Sequence, residues 1–175
     1  MFSKEVSVPQ DVNLDVTNAR IVAKGPKGEI QKHLDASREI KIEKTDGKIK
    51  VSSESDKRTT KAVVGTVAAH IRNAIEGVTK GYTYKMRIIY SHFPVTVKVE
   101  GDKVLISNFL GERVPRVAKI LGKTQVKIDQ QDVTLTGASL EEVSQTAANI
   151  EQAARIVGYD KKVFQDGIYI TSKGE

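Results

Sequence analysis

The chain has 175 residues, of which 39% are hydrophobic, enough for one folded domain of ordinary size or two small ones. Lys and Arg number 28 against 22 Asp and Glu, and the resulting net charge of +6 suits a polyanionic partner without requiring one. The absence of cysteine excludes disulfides and cysteine chemistry, and no apolar run approaches the ~20 residues of a membrane helix. The N-terminal MFSKEVSVPQD lacks the apolar core of a secretory signal, and we expect a soluble intracellular protein without a membrane partner.

The first half of the chain begins with strand signals. Apolar residues alternate with polar ones over residues 12–24, which predicts a hairpin that turns at residues 18–19. A second hairpin is predicted over residues 40–51, where the Asp-Gly pair at residues 46–47 is a strong turn signal.

A helical pattern follows these hairpins. Apolar residues at helical spacing predict a helix over residues 55–76 that ends at Gly77. A helix of this length is marginal by itself in water. We therefore expect its apolar stripe to pack on the sheet that the preceding strands form.

A strand with one packed face and one basic face is predicted between the two halves of the chain. The packed face would hold Tyr82, Tyr84, Met86, Ile88 and Tyr90. Lys85 and Arg87 fall on the opposite face and are candidate phosphate contacts. This segment alone favours the alternative that both are ordinary solvated cations.

The second half repeats the order of the first. Residues 95–106 match residues 12–23 in apolar phase, and the later hairpin and helix follow in the same order. We infer an internal duplication and an α+β fold of two tandem related domains, residues 1–81 and 82–175. Each domain is predicted to pack small β-sheets around one long α-helix.

The helix of the second copy has its own start signal. Ser139 and Glu142 have the spacing of a capping box. The predicted apolar stripe consists of Leu140, Val143, Ala147, Ile150, Ala154 and Val157.

The two copies differ in two segments, which supply the candidate nucleic-acid contacts. The first is a turn with a basic run: Asn108, Phe109, Gly111, Arg113, Arg116 and Lys119. The second is a tail that only the second copy has: Lys161, Lys162, Phe164, Gly167 and Tyr169. Cations would offset phosphate charge, aromatic rings would stack on bases or sugars, and glycines would permit close backbone approach.

The aromatic and glycine candidates of the tail have structural alternatives. Phe164, Ile168 and Ile170 alternate as a strand does, so Phe164 is at least as good a core residue as an RNA contact. Gly167 follows an aspartate and fits a simple turn. Lys161 and Lys162 are the firmest candidates, because cations beside a turn are hard to explain as core.

Enzyme motifs are not found. The three histidines share no ligand or catalytic spacing, and Gly122-Lys123-Thr124 lacks the earlier glycine of a phosphate-binding loop, since Val117 stands there. We therefore expect no catalytic residue, metal site, cofactor or small-molecule substrate. A hydrolase or transferase with an unfamiliar site would require a cleft with perturbed titrating groups.

Three segments carry a family resemblance: GVTKGYTYKMRIIYSHFPV, SNFLGERVPRV and KKVFQDGIYITSK. Together they resemble the sixth large-subunit ribosomal protein family, of the archaeal and eukaryotic type, over essentially the whole chain. The tail is the most specific piece and adds Lys173 to the candidates. The family pattern usually has Arg where Lys162 stands, and Lys cannot form a two-pronged contact with phosphate as Arg does.

This resemblance implies a non-enzymatic structural protein of the large subunit of the cytoplasmic ribosome. The second domain would bind large-subunit (23S-type) ribosomal RNA near the sarcin–ricin region, at the stalk base, beside neighbouring ribosomal proteins. The alternative is a non-ribosomal tandem-domain protein-interaction module with an edge strand for partners. That module would show no salt-dependent affinity for nucleic acid.

Overall fold

The structure is a computed structural model that describes residues 2–17, 20–34, 40–45, 47–55 and 57–174. The chain forms two compact units, Met1–Gly81 and Tyr82–Glu175. The turn predicted at residues 18–19, and Asp46 of the other predicted turn, lie outside the described residues. No helix in the described ranges is long and apolar enough to cross a membrane.

The first unit combines two antiparallel sheets with one helix. In chain order its described elements are β1 (Phe2–Ser7), β2 (Asn13–Thr17), β3 (Arg20–Gly25), β4 (Gly28–His33), β5 (Ile40–Thr45), β6 (Lys48–Ser53) and α1 (Arg58–Thr79). The strand orders are β1-β6-β5 and β2-β3-β4. Helix α1 packs against strands of both sheets, and its predicted apolar stripe is buried from Val64 to Ile75.

Helix α1 runs past the predicted end at Gly77, so that prediction was wrong. Gly77 is buried inside the helix, and Lys80 N still donates to the carbonyl oxygen of Glu76 at 2.8 Å. Gly81 is the residue that takes a left-handed conformation, with φ +78°. Glycine tolerates this conformation because it has no Cβ, and it terminates the helix there.

The second unit repeats this plan and adds a strand. Its elements are β7 (Tyr82–Ile89), β8 (Thr96–Glu100), β9 (Lys103–Ser107), a 3-10 turn (Phe109–Gly111), β10 (Arg116–Lys119), β11 (Gln125–Asp129), β12 (Asp132–Gly137), α2 (Leu140–Ala153) and β13 (Gly167–Ser172). The strand orders are β10-β9-β8 and β11-β12-β7-β13. Helix α2 packs against both sheets. The predicted α+β fold of two related units, each with small sheets around one helix, is confirmed.

Strand β7 has the predicted packed and basic faces. Tyr82, Tyr84, Met86 and Ile88 are buried. Tyr90 was predicted on the same face, but it lies beyond the end of β7 and is 39% exposed, so that prediction was wrong.

Helix α2 begins as predicted but ends early. Ser139 Oγ accepts a hydrogen bond from Glu142 N at 3.4 Å, whereas the Glu142 carboxylate accepts from Lys123 N at 3.1 Å. Only half of the predicted capping box therefore forms, because the carboxylate bonds to the turn before β11. The helix stops at Ala153, and Val157, predicted on its apolar stripe, is 72% exposed beyond it.

Candidate nucleic-acid interface

The loop at residues 90–95 is hydrogen-bonded to both candidate segments of the second unit, the turn and the tail. Near its start, Ser91 donates to Asp166 Oδ1 from its backbone N at 3.3 Å and from its hydroxyl at 3.0 Å. Near its end, Asn108 Nδ2 donates to the carbonyl oxygen of Pro94 at 3.0 Å. The turn at Asn108 and the tail are thus attached to one loop. Sequence reasoning missed this connection, because Ser91 and Asp166 are 75 residues apart and belong to no motif.

Three rings meet where the tail crosses this loop. The Phe164 ring lies 4.6 Å from the His92 ring and 4.9 Å from the Tyr159 ring, between centroids. Phe164 is half-buried and packs on the core, whereas Tyr159 is 50% exposed. The position of Phe164 supports its structural interpretation, and Tyr159 offers the more accessible ring for stacking on a base.

The two tail lysines are both exposed, on a short turn that Asp160 organises. Asp160 accepts from Lys162 N through its side chain at 2.9 Å and from Phe164 N through its carbonyl at 2.9 Å. Lys161 lines a groove of about 380 Å³ together with Arg155 and Tyr169. We call this the tail groove. Arg155 was not among the candidates, although its position two residues after α2 and before the tail was a usable signal.

Gly167 makes room for Tyr169, which corrects its predicted role. Gly167 is buried, and a Cβ there would lie 2.8 Å from Tyr169 Cζ. It is therefore required for the ring position, and its backbone is not open to phosphate. Tyr169 is 41% exposed, and its hydroxyl donates to the carbonyl oxygens of Gln165 at 3.2 Å and Asp166 at 3.4 Å.

Phe109 and Arg116 make contacts within the unit, which corrects their prediction as RNA contacts. Phe109 is 1% exposed, so its ring cannot stack on a base. Arg116 Cζ lies 4.4 Å from the centre of that ring. Its Nη1 donates to the carbonyl oxygens of Ala153 at 3.0 Å and Arg155 at 2.6 Å.

Arg116 is also paired with a carboxylate. Its Nε and Nη2 donate to the two oxygens of Glu112 at 2.8 and 2.6 Å. This hydrogen bonding lowers the pKa of Glu112 and raises that of Arg116. Four of the five guanidinium N–H donors thus bond to acceptors within the unit. Arg116 therefore joins β10 to the end of α2 through hydrogen bonds.

The rest of the turn segment is exposed. Asn108 and Gly111 both have positive φ, +59° and +78°, and both are at the surface. Arg113 and Lys119 are exposed cations on either side of the paired Arg116. A Cβ at Gly111 would lie 3.3 Å from the Phe93 ring, so this glycine fits both the turn and its neighbour in the connecting loop.

The remaining candidates lie on or near the open face of the four-stranded sheet. Lys85 and Arg87 are exposed on β7, and Arg87 pairs in register with Tyr169 of β13. The sheet therefore places Arg87 next to a ring of the tail groove. Lys173 follows β13 and is exposed. Asp132, opposite Arg87 on β12, reduces the positive charge of this face.

The features of an enzyme site do not converge in the described part of the chain. The pKa shifts that stand out there belong to two ion pairs, Lys41–Glu54 and Arg116–Glu112, each caused first by the hydrogen bond between the partners. Among the same residues, no three His, Asp or Glu side chains are arranged to hold a metal ion.

Comparison with known proteins assigns both units to one family. The family model described as "Ribosomal protein L6" matches residues 8–81 and again residues 93–167. "Large ribosomal subunit protein uL6" of Methanocella arvoryzae is 51% identical over 171 residues, covering 97% of this chain and 96% of that protein. The protein of the same name from Ignicoccus hospitalis is 48% identical, covering 96% and 92%. That of Desulfurococcus amylolyticus is 46% identical, covering 99% and 95%.

These matches decide several predictions. The family resemblance is confirmed, and with it the predictions of a non-enzymatic ribosomal protein and of a location in the cytoplasmic ribosome. The alternative of a non-ribosomal interaction module is set aside. The chain belongs to the ribosomal protein L6 family of the large ribosomal subunit.

Proposed function

We propose that the second unit, residues 82–175, is a domain that binds large-subunit ribosomal RNA through the tail groove, close to the sarcin–ricin region. At the stalk base it would adjoin neighbouring large-subunit proteins. The proposal rests on one observation above all. Lys161, Arg155 and Tyr169 line a single groove on the unit that has the extra strand β13.

The chemistry of the groove suits a folded RNA. Lys161 and Arg155 in its lining would offset phosphate charge, and the exposed ring of Tyr169 offers a stacking surface worth ~1–3 kcal/mol per base. Lys162 follows Lys161 on the same turn, and Arg87 pairs with Tyr169 across the sheet. Arg113, Lys119, Lys85 and Lys173 are exposed and stay candidates for peripheral phosphate contacts.

A salt series on the purified chain tests this function. We would measure affinity for a fragment of large-subunit RNA that carries the sarcin–ricin region, with an unrelated hairpin of equal length as reference. Wild type is compared with Lys161→Ala/Lys162→Ala and with Arg155→Ala. The matched control is Lys98→Ala, which removes an exposed cation from β8 of the same unit.

The expected result is tight binding whose log affinity falls steeply with log salt. The slope should become shallower by ~1–2 in the double variant and by ~1 in Arg155→Ala, but stay unchanged in Lys98→Ala. Equal affinity for the unrelated hairpin would contradict the proposed location. An unchanged slope in both groove variants would contradict the tail groove as the contact.

A further inference from the structure

The outer edge of β1 is open in the first unit, whereas the corresponding strand of the second unit is covered. Val6 of β1 lies opposite Ile49 of β6, as Met86 of β7 lies opposite Val133 of β12. The second edge of β7 pairs with β13. In the described ranges, no strand pairs with the second edge of β1.

Side-chain burial follows this difference. By the same register, Val6 and Val8 correspond to Met86 and Ile88. The two residues of the second unit are 1% and 3% exposed, because β13 covers them. Val6 and Val8 are only partly buried. The first unit therefore leaves apolar surface accessible at the position where the second unit has a strand.

A groove lies at this position. It has a volume of about 390 Å³ between β1 and α1, and its apolar wall includes Val6, Gly65, Ala68 and Ala69. Gly65 is open on this side: a Cβ there would meet only the end of the Lys4 side chain, at 3.7 Å. The groove is wide because a glycine stands where the helix faces the strand.

In the second unit, β13 occupies the corresponding space. It packs against α2, and its Ile170 N–H donates to Glu151 Oε1 at 3.4 Å. The matching buried positions of the two helices, Ile71 and Ile150, place Arg72 where Glu151 stands. Arg72 lines the groove of the first unit. A strand bound there would meet a cation in place of a carboxylate.

The backbone of β1 is oriented to accept such a strand. Val8 N donates to the carbonyl oxygen of Gly47 at 2.9 Å, toward β6. In an antiparallel strand the backbone N–H and C=O groups of successive residues point to opposite edges. Since those of Val8 point toward β6, those of Ser3, Glu5 and Ser7 point to the open edge. Thr83 of β7 corresponds to Ser3, and its backbone carbonyl oxygen accepts from Gly174 N at 3.1 Å. An unpaired edge of this kind is a template for strand addition.

We propose that the open edge of β1 binds an extended peptide segment of another protein, antiparallel to β1, as β13 lies along β7. The segment carries two aliphatic side chains at alternate positions, which fill the groove as Ile168 and Ile170 fill its counterpart. It also carries a carboxylate that pairs with Arg72. This binding site is separate from the tail groove, and it does not depend on RNA binding.

The test uses a labelled synthetic peptide with the sequence of residues 165–173, the segment that covers β7, in which Ser172 is replaced by Glu so that the carboxylate alternates with the two isoleucines. Its binding to the full chain is measured by fluorescence anisotropy. A control peptide has Lys in place of both isoleucines. The chain variant Glu5→Pro removes one N–H at the open edge and keeps the hydrogen bonds between β1 and β6. Glu5→Ala is its matched control, because it loses the same carboxylate and retains the N–H.

We expect the isoleucine peptide to bind and the lysine peptide not to bind. Glu5→Pro should weaken binding roughly tenfold or more, and Glu5→Ala should leave it unchanged. Gly65→Leu is a second variant that fills the groove from a helix position where leucine is favoured, and it should also abolish binding.

Equal affinity of Glu5→Pro and Glu5→Ala for the isoleucine peptide, or retained binding by Gly65→Leu, would overturn the proposal. Dimerisation of the wild type that Glu5→Pro abolishes, seen by sedimentation, would also overturn it, because the occupant would then be a second copy of the chain.

Discussion

Ser91 donates two hydrogen bonds to one carboxylate oxygen of Asp166, from its backbone N at 3.3 Å and from its hydroxyl at 3.0 Å. Asp166 is fully buried, and among the described residues no donor reaches its other oxygen, Oδ2. The bonds attach the tail of the second unit to the loop after β7. They also restrict the position of Gln165, which precedes Asp166 in the chain and lines the tail groove.

We expect Asp166→Ala to destabilise the second unit by about 1–3 kcal/mol, because it removes both hydrogen bonds from Ser91 to a buried carboxylate. Urea unfolding of the full chain, followed by a probe in the second unit, measures this cost. Ser91→Ala should cost less, since it removes one donor and leaves the backbone bond. A cost for Ser91→Ala equal to that for Asp166→Ala would contradict the importance of the backbone bond.

Arg116 is predicted to act on stability and not on RNA affinity. Arg116→Lys keeps the charge but loses the planar fork that bonds Glu112 and the two carbonyl oxygens at the end of α2, and we expect a loss of about 1–3 kcal/mol. Thermal unfolding measures this loss. Arg113→Lys is the matched control and should be close to neutral, because Arg113 is exposed. A shallower salt slope of RNA binding in a folded Arg116→Gln variant, which loses the charge, would show a phosphate contact instead.

The Arg116–Glu112 pair should produce a small acid-dependent term in stability. The hydrogen bond from Arg116 lowers the pKa of Glu112 below its usual value of 4.5. A carboxyl whose pKa is lower in the folded state stabilises the fold above its unfolded pKa, and this contribution is lost as pH falls through the folded pKa. The Glu112 side chain is 41% exposed, so salt screens the effect.

Comparison of the wild type with Glu112→Gln isolates this term. The stability difference between them should be constant above about pH 5.5 and shrink as the pH falls below the usual pKa. Urea unfolding at a series of pH values provides the curves. If the unfolding free energies of the two proteins differ by the same amount down to the lowest pH at which both fold, the pair makes no such contribution.

The contact between Gly167 and Tyr169 can be tested by a double-mutant cycle. Gly167→Ala places a Cβ 2.8 Å from Tyr169 Cζ, so the ring must move and its hydroxyl loses two carbonyl partners. We expect a cost of about 1–3 kcal/mol in the wild-type background. In the Tyr169→Ala background the same substitution should cost much less. An equal cost in both backgrounds would assign the need for glycine to the backbone.

The sequence predicted the features that depend on local periodicity. The alternation from Tyr82 to Ile88 was sufficient to assign the packed and basic faces of β7, because a strand turns successive side chains to opposite faces. The helical spacing of apolar residues likewise identified the buried stripes of α1 and α2, except for Val157, which lies beyond the end of α2 and is exposed. Repetition of element order revealed two related units, since each must bury its own core. Exposure of Lys161 and Lys162 also agrees with the sequence reasoning.

Only the tertiary structure decided which candidates are available to a partner. Arg113 and Arg116 look alike in the sequence. Arg116, however, bonds to Glu112 and to carbonyl oxygens 37 and 39 residues away, whereas Arg113 is exposed to solvent. Phe109 became a core residue, and Arg155 came to line a groove with Lys161. The physical reason is that a hydrogen bond or a buried ring depends on groups that folding brings together from distant positions. Local periodicity determines a residue's face, but the neighbours on that face are a property of the whole fold.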